Sequence, residues 1–340
     1  MNWRRSSVRA FAAAMLAAVP LPQQPSWTTQ TSGVTARLRG VSAVSASVAW
    51  ASGAAGTVIR TTDGGRTWRR LAVPDAAQLD FRDVDAVDER TAYLLSIGNG
   101  AASRIYKTSD AGATWTLQFR NEDPKAFYDA MAFRNAVHGF AFSDSVDGTF
   151  VVLRTDDGDK WTRVPPAALP AALPGEGAYA ASGTNVVVRD NVIWIGTAAS
   201  RILRSSDAGR SWTVFTTPIP ASASAGIFSL AFRDRSNGIA VGGDYKKEGE
   251  AIDNAAITRD GGRTWSLVKG LSGYRSAVAY VPAISTTWVA VGPAGSDVSS
   301  DDGKTWTPLT NAGFHAVSFA PGSRTGWAVG ENGSVARVDF

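Results

Sequence analysis

The chain has no cysteine, which removes disulfides, thiolate metal sites and thiol nucleophiles together and is compatible with any redox compartment. Histidine is nearly absent too. His138 and His315 are the only two, and no H-x-x-x-H spacing exists, so a zinc site is not expected. No G-x-G-x-x-G opens a helix, which excludes a dinucleotide fold. The "GNGAAS" at Gly98 reads as a loop between strands, not a phosphate cradle. Long apolar runs are scarce. The run Ala10–Val19 is too short to span a bilayer. Net positive charge is small as well once position is considered: the formal net charge of +4 falls to +1 without Arg4, Arg5 and Arg9. That leaves no footprint for nucleic acid.

Those three arginines, the apolar run and the "PLPQQPS" that follows have the order of a secretory leader, expected over residues 1–24. "RRSSVRAF" matches a twin-arginine signal poorly, and no cysteine follows for lipoprotein processing. The expected location is periplasmic or secreted. The remaining chain is long and, at 44% hydrophobic overall, able to bury a large core. Its 34 glycines, 15 prolines and 12 tryptophans suit short strands joined by tight turns.

An octet recurs: "TTDGGRTW" at Thr61, "TSDAGATW" at Thr108, "SSDAGRSW" at Ser205, "TRDGGRTW" at Thr258 and "SSDDGKTW" at Ser299. A degenerate copy, "RTDDGDKW", begins at Arg154. The octet aspartates are then Asp63, Asp110, Asp156, Asp207, Asp260 and Asp301, separated by 47, 46, 51, 53 and 41 residues. Periods of this size with strand-type sequence indicate propeller blades. In the first unit "ARLRGVSAV", "SVAWASG", "GTVIRTT" and "TWRRLAV" read as strands A to D, with the octet as the C–D hairpin. The last unit ends after strand C, "GSVARVD", while "SWTTQTS" at Ser26 has the look of a strand D. The expectation is an all-β, seven-bladed propeller over residues 26–340, closed by its N-terminal strand, which removes two exposed sheet edges. Within the octet an aspartate accepts turn N–H bonds, a glycine takes positive φ, and a tryptophan anchors strand D. A residue repeated six times has a structural role, not a catalytic one.

The octet S/T-x-D-x-G-x-T/S-W resembles the Asp-box, or BNR repeat, of sialidases, some glycosidases, sortilin-like receptors and the photosystem II stability/assembly factors. Phrases such as "FSDSVDGTF", "PGEGAYAASGTN", "AVGGDYKK", "SGYRSAVAYVP" and "GFHAVSFAPG" look like a bacterial exported branch near the assembly factors. The resemblance covers nearly the whole mature chain. It implies the propeller strongly and chemistry weakly.

Propellers bind on the face built from D–A loops, B–C loops and the starts of strands A. Matching strands A aligns Arg39, Arg82, Tyr128, Glu176, Ile227, Arg275 and Phe314, beside Asp83, Asp129 and His315. The B–C loops add Asp144 and Asp147, the run Asp244–Lys247, and Ser296 and Asp297. Arg39, Arg82 and Arg275 therefore form an expected anion site, because guanidinium forks suit carboxylate or phosphate. Tyr274, Asp144, Lys246 and His315 complete the expected ligand-binding set. The resemblance implies an arginine triad in sialidases and an arginine-rich patch in the assembly factors. The sialidase "R-I-P" segment is absent here.

Two functions follow. The first is a non-enzymatic, monomeric scaffold that binds a protein or peptide partner with acidic groups, without cofactor or metal, and meets a membrane only through that partner. The alternative is a glycoside hydrolase acting on a glycan, with Asp129, Glu176 or Asp244 as acid and base at a set separation.

Overall fold

A computed structural model describes residues 25–340; the expected leader lies outside the described residues. Seven four-stranded antiparallel sheets make a β-propeller. In blade 1 the strands Leu38–Ala43, Ala49–Gly53, Thr57–Thr61 and Arg69–Leu71 run from the channel outward. The second strands, such as "AWASG" and "WVAVG", are buried throughout because neighbouring blades cover both faces. Their continuous apolar composition reflects that double burial. The core lies between blades: Trp50, Val58 and Leu71 of blade 1 pack with Phe81, Leu94 and Trp115 of blade 2.

The octets sit where blades meet. Asp63 accepts the Thr61 hydroxyl (2.9 Å) and the Thr67 N–H (2.9 Å) on one oxygen and the Thr67 hydroxyl (2.7 Å) on the other. Thr61 Oγ1 in turn accepts the Gly65 N–H at 2.8 Å. The same arrangement holds Asp110, Asp207, Asp260 and Asp301. These bonds hold Asp63 and Asp110 at about 2, below the ordinary carboxylate value. The last octet glycine has positive φ and touches the preceding blade. A Cβ on Gly112 would lie 2.5 Å from Leu71 Cδ1 and 3.2 Å from Trp50 Cζ3.

Blade 3 departs from the expected copy. Thr155, not Arg154, takes the first position, and Gly158 donates to it at 2.8 Å from three residues away. Asp157 accepts the N–H groups of Asp159 and Lys160, both at 2.8 Å. Asp156 instead pairs with Arg154. One residue is missing between aspartate and glycine, so the aspartate function moves from Asp156 to Asp157.

The N-terminal strand Thr28–Gln30 is the outermost strand of blade 7, with Thr28 opposite Arg337 and Gln30 opposite Val335. Gln30 Oε1 accepts the indole N–H of Trp68 (3.1 Å, blade 1) and of Trp327 (3.2 Å, blade 7). Its Nε2 donates to Gly64 O at 2.9 Å. Trp27 donates to Ser296 Oγ of blade 6 (3.2 Å) and packs against Phe314 at 5.2 Å. One short strand thus ties three blades together.

Candidate functional site

The channel mouth is shaped by irregularities at the starts of innermost strands. The ladder skips a residue between Leu38 and Gly40, Phe81 and Asp83, Tyr128 and Ala130, and Ile227 and Ser229. The residues left over are Arg39, Arg82, Asp129 and Phe228. A bulge of this kind re-aims a side chain. Arg39, Arg82 and Phe228 line one cavity of about 410 Å³, together with His315 and Tyr274. His315 holds the matching place in blade 7, one residue before the ladder begins at Ala316.

The floor comes from the irregular approach to blade 4. Ala180 O accepts Arg82 Nη1 at 2.7 Å, Ser182 Oγ donates to Ser276 O of blade 6 at 2.8 Å, and Thr184 meets Ser229 of blade 5 at 2.7 Å. Ala180 and Ala181 line the mouth cavity, whereas Ser182, Gly183 and Thr184 line a second cavity of about 250 Å³ deeper in the channel. The segment partitions the channel.

The mouth cavity has two unlike halves. One is cationic. Arg82 is tied to Asp80 by an ion pair of 3.0 Å. Arg39 differs: its Nε is buried with no partner among the described residues. Burial, then Arg82 and Arg37, push its pKa down to about 10, so it remains a cation at neutral pH. His315 meets Glu331 at 2.7 Å. Burial and then Arg39 push it down to about 4 despite that carboxylate, so it is neutral at pH 7. The other half is aromatic. Tyr179 and Phe228 stack at 3.9 Å and 4°, Tyr274 meets Phe228 edge-on at 4.6 Å, and the exposed Tyr245 ring tilts against both stacked rings. Glu248 borders the cavity as well.

Several expected site residues lie elsewhere. Arg275 occupies the position of Leu38 and Phe314, one residue before the cavity-facing place, and its side chain turns into the sheet packing. It is fully buried against the equally buried Asp297, with Nε donating at 2.7 Å. The expected arginine triad is therefore a pair. Glu176 is held by Arg201 through both oxygens and by Thr197 at 2.7 Å. Asp129 is buried beside Asp144, and burial followed by that neighbour pushes its pKa well up. Asp144 accepts the Ala178 N–H at 3.0 Å. Asp244 caps its own loop, accepting the Lys246 N–H at 2.9 Å, and Lys246 is exposed. Asp129, Glu176 and Asp244 do not share the cavity, and neither Asp144 nor Lys246 lines it. Tyr274 and His315 do. Tyr179, Phe228, Glu248 and Glu331 were not singled out from sequence; Phe228 sat one position off in the alignment. Among the described residues no cluster of three His, Cys, Asp or Glu side chains could hold a metal ion.

No family model matches this sequence, and no curated protein matches it. Solved structures do. YCF48 bound to D1 peptide aligns with a TM-score of 0.64 at 16% identity, covering 95% of this chain and 100% of that one. YCF48 from Cyanidioschyzon merolae aligns at 0.67 and 15% identity, covering 92% and 99%. A GH74 xyloglucanase from Xanthomonas campestris aligns at 0.63 and 19% identity, covering 92% of this chain and 53% of that chain. At such identities what is shared is the propeller fold.

Proposed function

We propose that the protein is a binding scaffold whose channel mouth engages a protein or peptide partner through a carboxylate. The observation that carries this reading is Arg39. Its side chain lines the cavity beside a second arginine, its Nε is buried without an acceptor, and its guanidinium has no hydrogen-bond partner among the described residues, an arrangement that is costly unless an anion reaches the guanidinium from the cavity side. An incoming carboxylate supplies it. The cavity volume lies at the low end of the roughly 300–1,000 Å³ usual for ligand pockets, so it admits a side chain or short segment, not a folded surface. The likeness to a YCF48 structure bound to D1 peptide adds support, since the same architecture there carries a peptide.

The hydrolase alternative gains no observation of its own, because Asp129, Glu176 and Asp244 do not line the mouth cavity. Selection of a displayed random-peptide library on the wild-type protein and on Arg39→Gln tests the proposal. Acidic sequences should be enriched on the wild type and lost on the variant. Equal enrichment on both, or no acidic bias, refutes it.

A further inference from the structure

The same bulge position carries arginine in blades 1 and 2 and phenylalanine in blade 5. The ring thus places its cations on one side of the mouth and its aromatics on the other. Phe228 is buried beneath Tyr179, so the wall open to a ligand is the stacked pair seen at its rim, with Tyr245 leaning over it. Tyr245 is 42% exposed, far more than the packing aromatics Phe228 and Tyr274 at 3% and 4%. An exposed ring set edge-on to a stacked pair leaves a face for a further ring, in the tilted geometry that aromatic groups prefer. A carboxylate alone fills only the cationic half of this cavity.

We infer that the recognised segment carries an aromatic side chain next to its acidic residue, the carboxylate going to Arg39 and Arg82 and the ring to the Tyr179–Phe228–Tyr245 wall. This inference rests on the carboxylate reading of the site and specifies what must flank the charge. Arginine and aromatic wall both line one cavity of about 410 Å³, so adjacent residues reach both halves. Tyr245 is the specificity-determining residue. Being exposed in a loop, it can be changed without disturbing the blades.

The test is calorimetric titration of the protein with three capped peptides: acetyl-Phe-Glu-Phe-amide, acetyl-Ala-Glu-Ala-amide and acetyl-Phe-Gln-Phe-amide. The aromatic acidic peptide should bind about ten-fold more tightly than the alanine one. That preference should vanish in Tyr245→Ala and persist in Tyr245→Phe. Equal binding of the two glutamate peptides by the wild type, or an intact preference in Tyr245→Ala, overturns the aromatic inference and leaves the carboxylate reading standing. Binding of the glutamine peptide as tightly as its glutamate counterpart overturns the carboxylate reading, as does no binding by any of the three, and this inference falls with it.

Discussion

Replacing Arg275 with methionine should destabilise the propeller without acting as a ligand-site lesion. Its guanidinium donates to Asp297 Oδ2 from Nε (2.7 Å), to Tyr274 O from Nη1 (2.8 Å) and to Ser272 Oγ from Nη2 (2.5 Å). Both members of the ion pair have 0% side-chain exposure. Methionine removes the positive charge and leaves the Asp297 carboxylate with the Ser272 N–H (3.2 Å) and hydroxyl (2.8 Å) as its remaining donors. Breaking a buried pair in this way costs about 3–5 kcal/mol, whereas replacing both partners by apolar groups is often close to neutral. Arg275→Met should therefore unfold at distinctly lower urea, and Arg275→Met/Asp297→Leu should recover most of the loss. Tryptophan fluorescence reads the transition, and slopes must stay comparable for the comparison to hold. A single variant within about 1 kcal/mol of wild type, or a double variant no better than the single, would refute the account of Arg275 as a buried structural cation.

Gln30→Ala should cost about 1–3 kcal/mol, because two indole N–H groups and Gly64 O lose their common partner; an unchanged urea midpoint would mean the closing strand is not the clamp described. Asp157→Ala should lower the melting temperature and Asp156→Ala should leave it nearly unaltered, the reverse of what the octet pattern alone suggests. His315 is depressed to about 4 from an unfolded value near 6.5, so the unfolded chain binds the extra proton as pH falls between them. Stability should therefore drop as pH is lowered through that window, with Glu331, Arg39 and Arg37 the charged groups that face the ring. His315→Gln should remove this slope, and a slope of the same size in the variant would place it on another group.

How much of this was legible in the sequence depended on repetition. Six octets at blade-sized spacing announce the ring, and an unpaired strand at each end of the chain announces its closure, because each inference is checked by its neighbours. The mouth offers no such redundancy. Side chains in a strand alternate faces, so an alignment error of one residue exchanges a cavity-lining position for a buried one. That single step placed Arg275 in the cavity instead of beside Asp297, and Ile227 there instead of Phe228. The bulges that aim Arg39 and Arg82 leave no sequence mark beyond the residues themselves. The approach to blade 4 follows no repeat at all, since its innermost strand begins only at Val186. Tyr179 and the channel floor therefore had no template. In blade 3 a one-residue deletion shifts the hydroxyl role to Thr155 and the aspartate role to Asp157, a change that an eight-residue pattern starting at Arg154 does not register.

The central claim is that Arg39 awaits a carboxylate. Its most direct test is a double-mutant cycle by calorimetry, pairing wild type and Arg39→Gln with an acidic library-selected peptide and its Glu→Gln counterpart. A charge-assisted contact predicts a coupling of about 1.5–3 kcal/mol, so that neither change matters much once the other is made. Strictly additive losses, or full affinity in Arg39→Gln, would contradict it.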